Sequence, residues 1–315
     1  MSSDSKIDWL DVEQSLSHFW NSLPAEVRVV SQWTPSRRFS ELTYVREELL
    51  GSYKARKYLS LIPWLREQGF ERIRVAGSSH SGNVTQLGLL LRQNGMEPVY
   101  LFEGRGGPPA GNQLLSQLVY GSSFKTDSGD VDFEIPEGGS HPAALAGSLG
   151  LAGSLVEKSL EQNTWTTRIF MDSGTGFSAA ALLLGLGFFN LPCRVTIVSM
   201  TGQSSEDIQD ICHSLSGDYG RLFDKPPRIP EFEVNHPPVG PSFGSVPAAS
   251  LAEVAAFAQQ EAILIDPIYT AKLSLYYQQQ RVAGQEALMF LSGGVRELLC
   301  FQGPLRKWLE QRQSQ

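Results

Sequence analysis

Cysteine and positive charge are both scarce in this 315-residue chain. Its three cysteines, Cys193, Cys212 and Cys300, are odd in number and widely spaced, which excludes a metal cluster built on paired cysteines and is typical of a reducing compartment. The 26 lysines and arginines are outnumbered by 33 aspartates and glutamates, for a formal net charge of −7. Because non-specific nucleic-acid binding needs a concentrated basic surface, we expect no nucleic-acid partner.

Long apolar runs are also missing. The most apolar stretch, Ala179 to Leu191, is too short and too rich in glycine to span a bilayer, so it predicts a buried helix. The first residues are polar and acidic and do not resemble a signal peptide. We therefore expect a cytoplasmic protein without membrane contact.

Segments of strand and helix character alternate along the chain. The predicted strands are 43–46, 73–76, 98–102, 166–171, 193–199, 263–265 and 287–291, and the predicted helices are 12–23, 56–68, 84–93, 112–119, 178–186, 251–260 and 271–280. Residues 125–142, which are acidic and rich in turn residues, are expected to be a surface connection, and the proline-rich segment 226–247 is predicted to be an irregular loop.

This succession is typical of parallel sheets with crossover helices. We expect two α/β domains with twisted, mostly parallel sheets and a ligand cleft between them. The large domain is predicted to contain residues 1–55 and 151–315, and the small domain residues 56–150.

A lysine precedes the first of these crossover units. Lys54 follows Gly51-Ser-Tyr and is followed by Arg56 and Lys57 at the start of a predicted helix. Such a lysine is commonly part of a solvated basic face. If it is buried instead, its amine loses the proton more easily and can form an imine with a carbonyl compound.

Two turns between a strand and a helix carry glycine and hydroxyl residues. Ser81-Gly82-Asn83 begins a predicted helix, where it is either an ordinary N-cap or a site for a carboxylate at the helix N-terminus. The second turn, Asp172-Ser173-Gly174-Thr175-Gly176, is either a tight turn or a phosphate cradle. It lacks the third glycine and the ribose-binding acid of a dinucleotide fingerprint, so a single phosphate fits it better.

Two further motifs follow predicted strands near the end of the chain. They are Asp266-Pro-Ile-Tyr269-Thr270 and Leu291-Ser292-Gly-Gly294. Ligands of α/β sheets collect at the carboxyl ends of strands, so these side chains are expected to face the same cleft.

From about Trp33 to Gly294, the chain resembles the 1-aminocyclopropane-1-carboxylate deaminase/D-cysteine desulfhydrase family of fold-type II pyridoxal 5'-phosphate (PLP) enzymes. The resemblance rests on the motifs around Lys54, Ser81-Gly-Asn83 and Ser173-Gly-Thr-Gly176, together with Gly111-Asn-Gln-Leu-Leu, Leu264-Ile-Asp-Pro-Ile-Tyr-Thr-Ala-Lys272 and Ser292-Gly-Gly294. It implies a PLP cofactor, a small amino-acid substrate and a homodimer.

The resemblance also implies roles for individual residues. Lys54 would hold the cofactor as a Schiff base and then act as base, with Ser81 and Tyr269 assisting proton transfer. Asn83 would donate its amide to the phenolic oxygen of the cofactor. The phosphate loop would consist of Ser173, Gly174, Thr175 and Gly176, and Ser292 or Thr270 would meet the pyridine nitrogen, where a neutral hydroxyl leaves the ring less positively charged.

Four departures from the family pattern bear on the reaction. Tyr53 stands in place of an asparagine, and Gly82 in place of a cofactor-contacting asparagine, so that Asn83 must substitute. Phe243 stands where a substrate-facing tyrosine is expected, and a phenylalanine cannot exchange a proton. Thr270 replaces the glutamate of the cyclopropane-opening deaminases, which favours the desulfhydrase branch.

The sequence therefore predicts a PLP-dependent lyase or deaminase that removes the Cα proton and carries out β-elimination on a small amino acid. D-cysteine is the favoured substrate, with pyruvate, ammonia and sulfide as products. The alternatives are a catalytically inactive PLP-binding homologue and a hydrolase that resembles 1-aminocyclopropane-1-carboxylate deaminase. A nucleotide-binding oxidoreductase is disfavoured, because the turn Asp172–Gly176 lacks the third glycine and the ribose-binding acid of the dinucleotide fingerprint.

Overall fold

The computed structural model describes residues 7–78, 81–101, 111–121, 124–125 and 130–313. Within these ranges the strands are β1 Trp33–Pro35, β2 Leu42–Val45, β3 Arg72–Val75, β4 Glu97–Leu101, β5 Phe124–Lys125, β6 Phe133–Ile135, β7 Arg168–Ser173, β8 Arg194–Ser199, β9 Glu231–Asn235 and β10 Ala287–Phe290. The helices are α1 Trp9–Asn21, α2 Ala55–Glu67, α3 Gly82–Gln93, α4 Asn112–Tyr120, α5 Leu145–Gln162, α6 Phe177–Phe189, α7 Ser205–Phe223, α8 Ala248–Ala256, α9 Thr270–Gln280, α10 Val295–Leu298 and α11 Gln302–Gln313.

The strands form two sheets. The larger sheet has six strands in the order β1-β2-β10-β7-β8-β9, and the smaller has four in the order β5-β4-β3-β6. All neighbours pair in parallel except β1 and β2. The expected α/β architecture with mostly parallel sheets is confirmed, while the residue boundaries of the two domains stay a prediction.

Helix α6 forms the centre of the large unit. All thirteen of its residues are buried, and it packs against α5, α7 and β7. A helix that is apolar on every side has to be covered on every side, which explains why its sequence shows no amphipathic pattern. The buried helix predicted for this stretch is confirmed, and none of the described helices is both long and apolar enough to cross a membrane.

Helix α5 has no counterpart among the sequence predictions, because its three glycines obscure its helical pattern. A Cβ atom added at Gly147 would collide with the backbone carbonyl of Arg56 in α2, and one added at Gly153 would meet the rings of Trp20 and Phe19. These glycines therefore allow α2 and α1 to lie directly against α5. Helix interiors normally disfavour glycine, so only the close tertiary contact explains its use here.

Segment 125–142, expected to be a surface connection, contains β6, which pairs with β3 and buries Ile135 while Glu134 is exposed. One predicted loop and one predicted strand are wrong. Segment 226–247 contains β9, a half-exposed edge strand beside β8. Residues 263–265 form no strand. Ile263 and Ile265 are buried and Leu264 is exposed, so the segment alternates like a strand although it pairs with none of the described strands.

A buried ion pair fixes the start of α2. Arg56 Nε and Glu47 Oε2 are 2.7 Å apart, and both side chains are almost completely buried. Arg56 also donates to Ser31 Oγ at 2.9 Å and to the carbonyl of Val29 at 2.8 Å. This network satisfies the guanidinium on several sides and holds the residues just after Lys54 in place.

We predict that Glu47→Ala lowers the free energy of unfolding by about 3–5 kcal/mol, because it leaves the Arg56 charge buried without its partner. Equilibrium unfolding in urea measures the change. Glu161→Ala serves as the control, since the Lys158–Glu161 pair is solvent-exposed and its loss should cost about 0.5 kcal/mol or less. Equal losses in the two variants would contradict this account.

Candidate active site

A cavity of about 730 Å³ lies between the carboxyl ends of β7 and β10 and the amino end of α3. Most of the residues predicted to form the site line it: Lys54, Ser81, Asn83, Gly174, Thr175, Tyr269 and Ser292. Ser173, Gly176 and Thr270 are not part of its lining. The sequence motifs, which are far apart in the chain, are thus brought together at one place.

A second depression of about 790 Å³ lies at the opposite edge of the large sheet, near Arg168, Arg194 and Glu231. These residues begin β7, β8 and β9. Ligands of parallel sheets bind at the carboxyl ends of strands, and the predicted site residues lie there. The cavity around Lys54 is therefore the candidate active site.

Lys54 directly precedes α2 and faces the cavity. Its Nζ lies 5.1 Å from the ring centroid of Tyr269. Burial lowers the pKa of Lys54, although the nearby carboxylates of Asp172, Glu297, Asp266 and Glu137 oppose the shift. Lys54 is half-buried and its two basic neighbours, Arg56 and Lys57, are buried, so the segment is not a solvated basic face.

The turn at the start of α3 presents polar groups to the cavity. Ser81 occupies the N-cap position, yet its side chain makes no capping hydrogen bond, so an ordinary capping role does not explain it. The hydroxyl of Tyr58 donates to Asn83 Oδ1, which uses the oxygen end of the amide. The NH₂ end of Asn83 is therefore oriented to donate to a ligand. Ser79 and His80 of the same motif lie outside the described residues.

The predicted phosphate loop connects β7 to α6. Gly174 and Thr175 face the cavity, and the Gly174 carbonyl accepts a hydrogen bond of 2.7 Å from Thr201 Oγ1. Gly176 adopts a positive φ of 84° at the N-cap of α6, which favours glycine. The first N–H groups of α6 lack partners within the helix, and the hydroxyl of Ser178, in the same turn, is buried without a partner. These groups fit the phosphate of the implied cofactor.

The structure distinguishes the two hydroxyls predicted to meet a ring nitrogen. Thr270 Oγ1 accepts a hydrogen bond of 3.2 Å from the Gly293 amide, and the side chain lies behind the cavity wall. Ser292 lines the cavity, and its buried Oγ has no well-formed hydrogen bond. Ser292 is therefore the better partner for a ligand nitrogen, and Thr270 instead supports the Ser292-Gly-Gly294 turn.

Asp172 is a cavity residue to which the sequence analysis assigned no role. Its side chain is fully buried, and Tyr53 donates to its Oδ2 at 2.8 Å. Burial raises the pKa of Asp172 to about 6, while hydrogen bonding with Ser292 and Tyr53 opposes the shift. Tyr53, one of the departures from the family pattern, is thus explained by the carboxylate that it binds.

Arg296 and Glu297, which also line the cavity, were missed because they follow the last motif. The Glu297 carboxylate contacts Gly82 at the start of α3, and Arg296 donates to it at 3.0 Å. Arg296 also donates to the Gly51 carbonyl at 2.7 Å. No local sequence pattern places these residues at the turn, since the contact depends on how α10 returns across the cavity.

Phe243 lies at the mouth of the cavity. Its ring centroid is 6.1 Å from that of Tyr269, and the side chain is 57% exposed. Burial raises the pKa of Tyr269, so its hydroxyl keeps its proton at neutral pH. Phe243, which stands where a tyrosine is expected, therefore lies beside Tyr269, the residue predicted to assist proton transfer on this side of the cavity.

No family model matches the chain. It is 24% identical to a putative mitochondrial D-cysteine desulfhydrase 2 of Oryza sativa subsp. japonica, over 72% of this chain and 70% of that protein. It is 23% identical to D-cysteine desulfhydrase of Serratia proteamaculans, over 93% of this chain and 99% of that protein.

Solved structures show the same architecture. A homologue of 1-aminocyclopropane-1-carboxylate deaminase superimposes with a TM-score of 0.76 at 20% identity and covers 93% of this chain and 99% of its own. An L-serine ammonia-lyase of Rhizomucor miehei gives 0.60 at 15% identity, with coverage of 90% and 98%. The predicted fold-type II architecture is confirmed. In sequence and in fold, the chain is similar to the D-cysteine desulfhydrase and 1-aminocyclopropane-1-carboxylate deaminase family, as its motifs predicted.

Proposed function

We propose that the chain is a PLP-dependent lyase that removes the Cα proton of a small amino acid and expels a β-substituent. D-cysteine is the proposed substrate, with pyruvate, ammonia and sulfide as products. The observation that carries the proposal is the position of Lys54: its amine lies in a cavity between the Tyr269 ring, the phosphate loop and the turn at α3.

The residues present fit this cofactor at both of its ends. Gly174, Thr175 and the amino end of α6 would hold the phosphate, and the free Ser292 hydroxyl would meet the ring nitrogen. Between them, the NH₂ end of Asn83 would donate to the phenolic oxygen. The bound cofactor supplies an electron-withdrawing ring that stabilises negative charge at the substrate Cα.

Side chains that line the cavity would then remove and donate the protons of the reaction. Because its pKa is lowered by burial, Lys54 reaches the neutral amine more readily, which suits it first as a nucleophile and then as the base for the Cα proton. The Ser81 hydroxyl, which makes no capping hydrogen bond, can relay a proton, and Tyr269 remains protonated as a donor to the leaving group. The turn at α3 would bind the substrate carboxylate, beside the Arg296 guanidinium.

We propose no membrane or nucleic-acid partner for the chain. Its cellular compartment and its assembly as a homodimer stay predictions. The inactive PLP-binding homologue remains the second candidate, because Phe243 has no exchangeable proton where the family places a tyrosine.

Reduction with borohydride after incubation with PLP should leave a pyridoxyl group on Lys54, because its amine is buried and faces the cofactor cavity. Peptide mass mapping locates the group, and Lys54→Gln should abolish it. Lys225→Gln is the matched control: burial also lowers the pKa of Lys225, but its Nζ lies over the Phe188 ring, outside the cavity. Labelling at Lys272, or at no lysine, would contradict the proposed function.

Gly174→Asp should weaken PLP binding by more than tenfold, or about 1.4 kcal/mol, because its carboxylate would repel the phosphate. A Cβ at this position would come no closer than 3.8 Å to another protein atom, so the variant can fold. Equilibrium dialysis measures the affinity. Gly217→Asp adds the same charge where no atom lies within 4 Å and should leave binding unchanged. Equal affinities in the two variants would refute this phosphate site.

Phe243→Tyr should raise the release of pyruvate from D-cysteine, because general acid–base assistance is typically worth about 10²–10⁴-fold. The native chain should not open the ring of 1-aminocyclopropane-1-carboxylate. A pyruvate assay with D-cysteine, D-serine, L-serine and the cyclopropane compound tests both expectations. Phe243→Leu, which adds no hydroxyl, is the control and should bring no gain.

Efficient deamination of the cyclopropane compound by the native chain would show that Phe243 does not occupy the position assigned to it. If neither the native chain nor Phe243→Tyr turns over any of the four compounds, the inactive PLP-binding homologue replaces the proposed lyase.

A further inference from the structure

Two buried polar atoms in the cavity lack well-formed hydrogen bonds. They are Asp172 Oδ1 at the end of β7 and Ser292 Oγ just after β10. Their side chains are 0% and 6% exposed by residue, so water does not readily satisfy them. Buried groups of this kind are rarely left without partners, so both atoms indicate a ligand or a rearranged hydroxyl between them.

Asp172 lies in β7, and Ser292 lies two residues past the end of β10, the strand that pairs with β7. Both side chains line the same cavity, and hydrogen bonding with Ser292 opposes the rise that burial causes in the pKa of Asp172. The second carboxylate oxygen of Asp172 is already occupied by the Tyr53 hydroxyl at 2.8 Å. Asp172 Oδ1 is therefore the oxygen that is left for Ser292.

The charged and titratable groups around Asp172 do not take the place of Ser292 at its Oδ1 atom. Lys54, Asp266 and the Tyr53 hydroxyl act on Asp172, and Asp172 in turn acts on Tyr269. Asp266 cannot replace it, because its carboxylate oxygens accept the backbone N–H groups of Ile268, Tyr269 and Thr270. Asp172 is thus the carboxylate with an oxygen available to the Ser292 hydroxyl.

We infer that Asp172 is a positioning residue that acts through Ser292 to keep the ring nitrogen of the bound cofactor protonated. The Ser292 hydroxyl donates its proton to Asp172 Oδ1, and its oxygen then accepts the N–H⁺ of the ring. No proton is transferred: the ring nitrogen keeps its proton, and two hydrogen bonds separate it from the negative charge of Asp172. This inference rests on the proposed function.

The consequence differs from what a serine alone would give. A lone hydroxyl can also donate to an unprotonated ring nitrogen, which leaves the ring neutral at that point. With a carboxylate behind it, the hydroxyl is committed to the opposite orientation, and a protonated ring withdraws electrons more strongly from the substrate Cα. Asp172 would therefore make the Cα proton easier to remove without touching the substrate.

The test uses the full chain reconstituted with PLP that is labelled with ¹⁵N in the ring, and NMR reads the protonation of that nitrogen directly. The native chain should give a ring-nitrogen resonance in the protonated range at neutral pH. Asp172→Asn and Ser292→Ala should each move it into the unprotonated range, the first by removing the charge and the second by removing the bridge. A merely structural role for Asp172 would not move this signal.

Glu137→Gln is the matched control, because it removes an acidic side chain from the cavity lining without touching Ser292. Its resonance should stay in the protonated range. Should Asp172→Asn fail to fold, as judged by circular dichroism, Ser292→Ala decides the question alone. A native ring nitrogen that is unprotonated, or one that stays protonated in the folded variants, would overturn the inference. Failure of the native chain to bind PLP at all would instead overturn the proposed function and, with it, this inference.

Discussion

The withdrawal of cations from solvent at the start of α2 is the constraint on which the site depends. Arg56 and Lys57 are buried, whereas Lys54 is half-buried and its amine is desolvated enough to lower its pKa. Arg56 is held by Glu47, and Lys57 donates to the Gly138 carbonyl at 2.7 Å. These two anchors leave Lys54 without a dedicated partner, so its amine faces the cavity with a lowered pKa.

The parts of the site that could be predicted are those in which a local motif determines position. Lys54, Ser81 and Gly174 each lie beside the amino end of a helix, and two of these helices follow a buried strand. The carboxyl ends of parallel strands meet at one edge of a sheet, which brings the turn after β7 next to Ser292 after β10. The turn at α3 follows β3 of the other sheet, so its approach to them could not be predicted in this way. The same logic fails for residues 263–265, where burial of alternate side chains imitates a strand that has no partner.

Residues that act through tertiary contact could not be predicted in this way. Asp172 is a carboxylate within a buried strand, and only the arrival of Tyr53 and Ser292 from other segments gives it a chemical role. Glu297 reaches Gly82 from a segment more than two hundred positions later. Helix α5 was missed for a related reason, since its glycines are favourable only where α2 and α1 press against them.

Two of the departures from the family pattern would act on different steps. Tyr53 binds Asp172 and so acts, through Ser292, on the electronic demand at the substrate Cα, whereas Phe243 lies beside Tyr269 and acts on proton delivery at the mouth of the cavity. The carboxylate behind Ser292 would make the Cα proton easier to remove, and Phe243 leaves the mouth of the cavity with one acid fewer. Together these two changes favour reactions limited by loss of the Cα proton. A thiolate departs from the β-carbon with little assistance, but opening a cyclopropane requires a proton at the departing carbon. This combination therefore supports the proposed β-elimination over ring opening.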